Sequence, residues 1–280
     1  MFLFSDLSIQ LTWPVILVGY LSVFTVAISK SGFGGALGAL AAPIMLFVLP
    51  PRMALAVLLP LFLLSDFWAV WIWRKYGVRR IIMLMGVFGI LGQMAGWLVF
   101  DYINDDMLAF LIGVVAIIVV IRYIQQEIQP VAKLAEMSNL RARQRRALRQ
   151  KPAKSASVWM SLSGFSSFVS LTGGIPAQIF LVPFRLPRKI FLGTMSWYFL
   201  IINFAKVPFF TELDMFTAET LALSILFLPI VPAGIWLGKW LVLNLSDKLF
   251  YHLVHVALAI LGLRLMLTFG PLVLSPLVLS

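Results

Sequence analysis

The chain contains no cysteine, which removes disulfides, thiolate metal sites and iron–sulfur clusters from consideration and leaves the compartment open. Charge is nearly as scarce. Asp, Glu, Lys and Arg supply 12% of the 280 residues, against 61% that are hydrophobic. A soluble domain has no means of burying that much apolar surface, so composition excludes a water-soluble fold and points to an integral membrane protein. Two histidines occur, His252 and His255. Their spacing on one apolar segment would suit a shared metal, but without a carboxylate nearby they do not make a site. The glycine-rich stretch "GFGGALG" lacks the Gly-Lys-Ser/Thr ending of a phosphate loop and follows no strand. Enzymatic readings, cofactors and an ATPase module therefore find no support. No Lys or Arg precedes Lys30, so the first apolar run lacks the basic region of a cleaved signal peptide and is expected to stay in the mature chain.

What is present is a series of apolar runs. With about 20 residues needed to cross the hydrocarbon core, nine segments emerge. They are residues 10–29, 33–49, 53–73, 79–100, 106–124, 158–183, 189–208, 218–240 and 249–269. They are too long and continuous for the strands of a membrane barrel, so the expected fold is all-α and polytopic. Two places are short or interrupted by glycine, 10–29 with 33–49, and 158–172 with 174–183.

Basic residues cluster in some loops and are missing from others. Arg74, Lys75, Arg79 and Arg80 mark one loop, Arg122 to Lys154 a second, Arg185, Arg188 and Lys189 a third, Lys239 and Lys248 a fourth. The positive-inside rule assigns all four to the cytoplasm. Loops with Asp101, Asp105 and Asp106, and with Glu212, Asp214 and Glu219, then face outward, as do both chain ends. Residues 128–157 form a basic cytoplasmic linker between a first transmembrane repeat, 1–127, and a second, 158–280. Because cationic inner loops are the norm in membrane proteins, the net charge of +11 reports sidedness and not a nucleic-acid partner.

The two halves share a pattern. "SGFGGALGALAAPIMLFVLPPRMALAV" (31–57) and "SGFSSFVSLTGGIPAQIFLVPFRLPRKIFLG" (163–193) each open with Ser-Gly-Phe, continue through small residues to a proline, and reach Pro-Arg at the next helix. Pro51-Arg52 matches Pro187-Arg188, and Asp66-Phe67 falls opposite Asn203-Phe204 to within one residue. Arg52 lies on the outer side and Arg188 on the inner, so the halves run in opposite senses, the signature of an inverted-repeat transporter with helices broken near the midplane. In such folds half-helix N-termini offer free N–H groups and a positive dipole end to an anion. The candidate breaks are "KSGFGG" and "TGGIP", which nominate Gly32, Gly34, Gly35 and Pro43 in the first half and Gly173, Gly174 and Pro176 in the second. Close packing is the other use of such glycines, and it is the reading adopted for the Gly86, Gly89, Gly92, Gly96 stripe.

A few polar residues interrupt the apolar runs. Lys30 at the first break and Lys206 in "NFAKVPFF" are candidate anion ligands, the rival role being snorkelling to an interface. Asp66, a carboxylate deep in an apolar run, would serve proton coupling or pair with a lysine. Asn203 and Gln178 add neutral polar groups, and Arg264 has no assigned role.

"KSGFGGALGALAAPIM", the helix ending "SDFWAVWIWR", "TGGIPAQIFLVPFRLPRKIFLGT" and "NFAKVP" resemble the TauE/SafE family of sulfite exporters and toluenesulfonate uptake permeases. The resemblance spans roughly 29–75 and 163–208 and implies transport of small sulfur oxyanions or organosulfonates through two inverted repeats. The resulting expectation is a secondary carrier for a small anion in the cell inner membrane, with the lipid bilayer as its surroundings and homo-oligomerisation left open. The alternative is a membrane scaffold or assembly factor that docks a partner through the basic loop 128–157.

Overall fold

The computed structural model describes residues 12–32, 35–128, 152–181, 184, 186–244, 256, 259–260 and 262–273. Every regular element among them is helical. The first is α1 (Trp13–Gly32), followed by a 3-10 turn (Ala36–Leu40) and the short α2 (Ala41–Met45). Then come α3 (Pro51–Trp73), α4 (Arg79–Phe100) and α5 (Asp105–Ile128). The later part contains α6 (Pro152–Ser170), α7 (Gly174–Leu181), α8 (Arg188–Glu212), α9 (Ala218–Phe227), α10 (Ile230–Asn244) and α11 (Gly262–Val273).

Proline positions several of these starts. Pro51 occupies the first turn of α3, where its missing N–H would have had no partner in any case. Pro187 caps α8 in extended conformation, with ψ at 142°, and turns the chain into the helix. At α9 a capping box does the same work: Thr220 N–H donates to Thr217 Oγ1 (3.2 Å) and Thr217 N–H donates to Thr220 Oγ1 (2.9 Å). Pro60 inside α3 removes one rung of the helix ladder, and close by Ser224 Oγ of α9 donates to the Val57 carbonyl (2.9 Å).

Four helices are individually long and apolar enough to cross a membrane, Trp13–Gly32, Pro51–Tyr76, Arg79–Phe100 and Lys189–Glu212. The protein is thus an all-α polytopic membrane protein. The run 218–240, expected as one span, is two helices bent by 47° at residues 228–229. Pro229 and Pro232 explain the bend, since neither supplies an N–H to the preceding turn. Residues 33–49 are likewise no continuous span; a left-handed Gly35, the 3-10 turn and α2 divide them. α6 begins at Pro152, inside the stretch 128–157 expected as a linker. Gly34, His252, His255, Lys248 and most of that linker lie outside the described residues.

The closest helix pairs join the two halves of the chain. α4 packs along α6, and α1 along α10. Gly92 faces the Ser161 carbonyl and Gly164 the Gly89 carbonyl so closely that neither leaves room for a Cβ. The stripe Gly86, Gly89, Gly92, Gly96 is a packing surface, as its spacing indicated. α3 packs against α8; α3 carries the buried Asp66, and α8 the buried Asn203 and Lys206. At one end of α3, Arg52 Nη2 donates to the carbonyls of Ile103 (2.8 Å) and Phe100 (3.3 Å), with Asp105 3.5 Å from its Nε. This basic residue at the acidic end thereby caps the C-terminus of α4. Arg264 on α11 lies over the ring of Phe47 at 4.0 Å, which gives it the partner that the sequence did not reveal.

Candidate functional site

Three charged side chains are buried among the described residues, and they are Lys30, Asp66 and Lys206. Each comes from a different helix. Lys30 sits in the last turn of α1, which runs through Gly32, so this lysine precedes the break and does not lie in it. Asp66 lies fifteen residues after the start of α3, about 22 Å along it at the helical rise. Its Oδ1 is 2.7 Å from Lys30 Nζ, and its Oδ2 accepts from Asn203 Nδ2 at 2.6 Å. Both carboxylate oxygens are therefore occupied. The pairing of Asp66 with a lysine, one of its two expected roles, is what the geometry contains. The Lys30 ammonium also lies over the rings of Phe199 (4.0 Å) and Phe62 (4.8 Å), whose π faces favour a cation.

Lys206 is one helical turn beyond Asn203 on α8 and has no exposed surface. Snorkelling to an interface is therefore not its role. Its Nζ donates to the Ser167 carbonyl (2.9 Å) and to Ser167 Oγ (3.0 Å), both neutral groups, and among the described residues no carboxylate stands within ion-pair distance. With both lysines protonated the cluster would hold two ammonium groups against one carboxylate. A buried charge without a counter-charge is expensive, and in membrane proteins it marks a pathway or a ligand.

Ser167 connects this lysine to the second break. α6 ends at Ser170, Leu171 takes a positive φ of 57°, and α7 begins at Gly174. A Cβ on Gly173 would come within 2.5 Å of Ser167 Cβ and 2.6 Å of the Ser163 carbonyl. Only glycine fits against α6 there. The first-turn N–H groups of α7 have no acceptor within their own helix, and Pro176 has none to offer. Ser163 Oγ donates to the Gly173 carbonyl (2.5 Å) and accepts from Tyr198 Oη (2.7 Å), while Ser170 and Thr172 hydroxyls meet at 2.6 Å. These bonds fix an irregular backbone that would be costly in lipid.

The first break approaches the second. Gly35 has φ +83°, and a Cβ on Gly174 would lie 2.7 Å from the Gly35 carbonyl. The edge of the Phe199 ring fills the space beside both glycines. Gly38 N–H donates to Ser29 Oγ (2.9 Å), tying the 3-10 turn to α1. Gly32 and Pro43 are buried beside this break in α1 and α2, and Gln178 and Pro176 are half-buried on α7. Of the residues nominated from sequence, Lys30, Asp66 and Asn203 form one bonded group, and Lys206 stands one turn away with Gly173 and Gly174. Sequence reasoning missed Ser163, Ser167, Tyr198 and Phe199. The serines were visible as a stripe, 163, 166, 167 and 170, at helical spacing. For Phe199 no signal distinguishes it from the other aromatics.

Long apolar helices enclosing a charged, glycine-broken centre define a polytopic membrane protein. The family model described as "Sulfite exporter TauE/SafE" matches residues 20–265, which covers both breaks, Asp66 and Lys206. The chain belongs to that family. The comparison with curated proteins and the comparison with solved structures each returned no match.

Proposed function

We propose that the protein is a secondary carrier that moves a small anion, sulfite or an organosulfonate, across the cell inner membrane by alternating access between inverted repeats. The observation that carries this reading is the buried Lys206 side chain, bonded among the described residues to Ser167, which packs against Gly173 just before α7. The anion supplies the missing counter-charge. Lys30 is neutralised by Asp66 and shapes the site through Phe199, so Lys206, Gly173 and Gly174 form its binding end. Family membership supports a sulfur oxyanion as cargo.

The energetics favour a lysine over backbone alone. An anion leaving water must recover several kcal/mol of lost hydration. A helix N-terminus contributes at most about 2 kcal/mol. Replacing Lys206 by Met should therefore weaken binding at least about tenfold, which is about 1.4 kcal/mol. Counterflow in proteoliposomes with sulfite, sulfonates, sulfate and carboxylates tests the carrier and its cargo together. Exchange of none of them would refute the reading, and unchanged affinity in Lys206→Met would move the site elsewhere.

Orientation follows from the basic loops. A cysteine label at position 104 or 214 should react from outside intact cells, and one at 145 only after permeabilisation, the chain having no cysteine of its own. Labelling of 145 in intact cells would overturn the inverted arrangement.

A further inference from the structure

We propose that Lys206 carries the coupling proton: one anion and one proton cross together, and the empty carrier returns with Lys206 as a neutral amine. This rests on the carrier reading above and identifies its driving ion.

The case begins with what Asp66 is unable to do. One of its oxygens contacts the Lys30 ammonium and the other accepts from the Asn203 amide. A proton that passed from Lys30 to Asp66 across that 2.7 Å contact would leave the sum of their charges unchanged, so the two act as one pair with no net charge. Lys206 has the opposite surroundings. As an ammonium, its N–H groups donate to the Ser167 carbonyl and hydroxyl. As an amine, it keeps the N–H bond to the carbonyl and accepts the Ser167 O–H on its lone pair. Both forms are satisfied by the same two atoms without movement of the backbone.

Few other groups compete for the role. Lys30 of α1 and Asp66 of α3 act on Lys206 electrostatically, and they neutralise each other. Tyr198 of α8 is committed to Ser163. α6 presents serines, and α4 presents Gln93, whose Nε2 donates to the Ile202 carbonyl; none of these titrates. Among the described residues, Lys206 is the buried group whose charge can change without leaving an unpaired partner behind.

Charge balance then dictates the cycle. On the loading side the Lys206 amine takes one proton from water and a monoanion, a sulfonate or bisulfite, docks against the ammonium, so the loaded site, with the Lys30–Asp66 pair, has no net charge. On the far side anion and proton leave together. The empty site is again neutral. Neither crossing form buries an uncompensated charge, which is the state that the apolar surroundings penalise most.

The test uses the full chain in proteoliposomes with a pH dye in the lumen and labelled sulfite or ethanesulfonate outside, whichever exchanges, with protein-free vesicles as background. The wild type should acidify the lumen by one proton per anion. Lys206→Arg fixes the positive charge, because guanidinium does not deprotonate at these pH values. It should retain exchange at a reduced rate and lose net uptake and acidification down to background. Should Lys206→Arg exchange nothing, anion binding by the full chain in detergent decides: the wild type should take up one proton per ethanesulfonate bound and Lys206→Arg none. Exchange without proton movement in the wild type overturns this inference and leaves the carrier reading standing. Wild-type acidification, or wild-type proton uptake on binding, by Lys206→Arg overturns it too. Absence of any exchange in the wild type removes the carrier reading itself.

Discussion

Asp66→Ala should destabilise the protein by about 3–5 kcal/mol, the cost of leaving one member of a buried ion pair without its partner. The substitution strands the Lys30 ammonium, and it also removes the acceptor of the Asn203 amide. The rings of Phe62 and Phe199 beside Lys30 offset part of the loss, because cation–π contact is worth about 2 kcal/mol at most sites of this kind. Equilibrium unfolding in mixed micelles measures the effect. The Lys30→Met/Asp66→Leu double variant should recover most of it, since apolar side chains of similar volume often replace a buried pair without penalty. Parental stability in Asp66→Ala would mean that the pair does not form in the folded protein.

Gly164→Val should be worse tolerated still. A Cβ at residue 164 would fall inside the Gly89 carbonyl, and the facing Gly92 is held as tightly against the Ser161 carbonyl. Backbone, not a movable side chain, is in the way on both sides. The only relief is to pull α4 and α6 apart, which forfeits dispersion contacts along the most extensive helix pairing in the fold. The expected outcome is loss of monodisperse protein on size exclusion in mild detergent. Gly86→Ala supplies the contrast: its nearest neighbour is Ile201 Cγ2 at 3.5 Å, an ordinary contact, so this variant should purify like the parent. Monodisperse Gly164→Val would show that the two helices are not in backbone contact.

Much of this was legible in the sequence, for identifiable reasons. Apolar runs as long as 53–73 and 79–100 have no stable alternative to a helix in a bilayer, and α3 and α4 follow them closely. "TGGIP" announced a break because two glycines and a proline destabilise a helix interior, and the chain departs from helix at 171–173. The parallel between the halves aligned Asp66 with Asn203 without implying contact, and the structure joins them by a hydrogen bond. The partner of Lys30 was harder to see, since contact between residues 30 and 66 depends on how α1 leans on α3, which no local pattern encodes. The same holds for Ser167, whose hydroxyl is unremarkable until α8 places an ammonium against it. The bend at 228–229 was missed because hydropathy over 218–240 is continuous, and hydropathy takes no account of the donor that Pro229 lacks.

The pairing of α4 with α6 and of α1 with α10 has a mechanical consequence. The halves expected at 1–127 and 158–280 are tied to each other by the tightest contacts. Carbonyls that rest on glycine leave no clearance for sliding, so α4 and α6 are locked side by side, and the glycines 234 and 238 seat α10 on α1 in the same way. Each locked pair draws one helix from each end of the chain. On the proposed carrier reading the hinge is then expected along α3 and α8, where the prolines at 60 and 208 interrupt the helices internally.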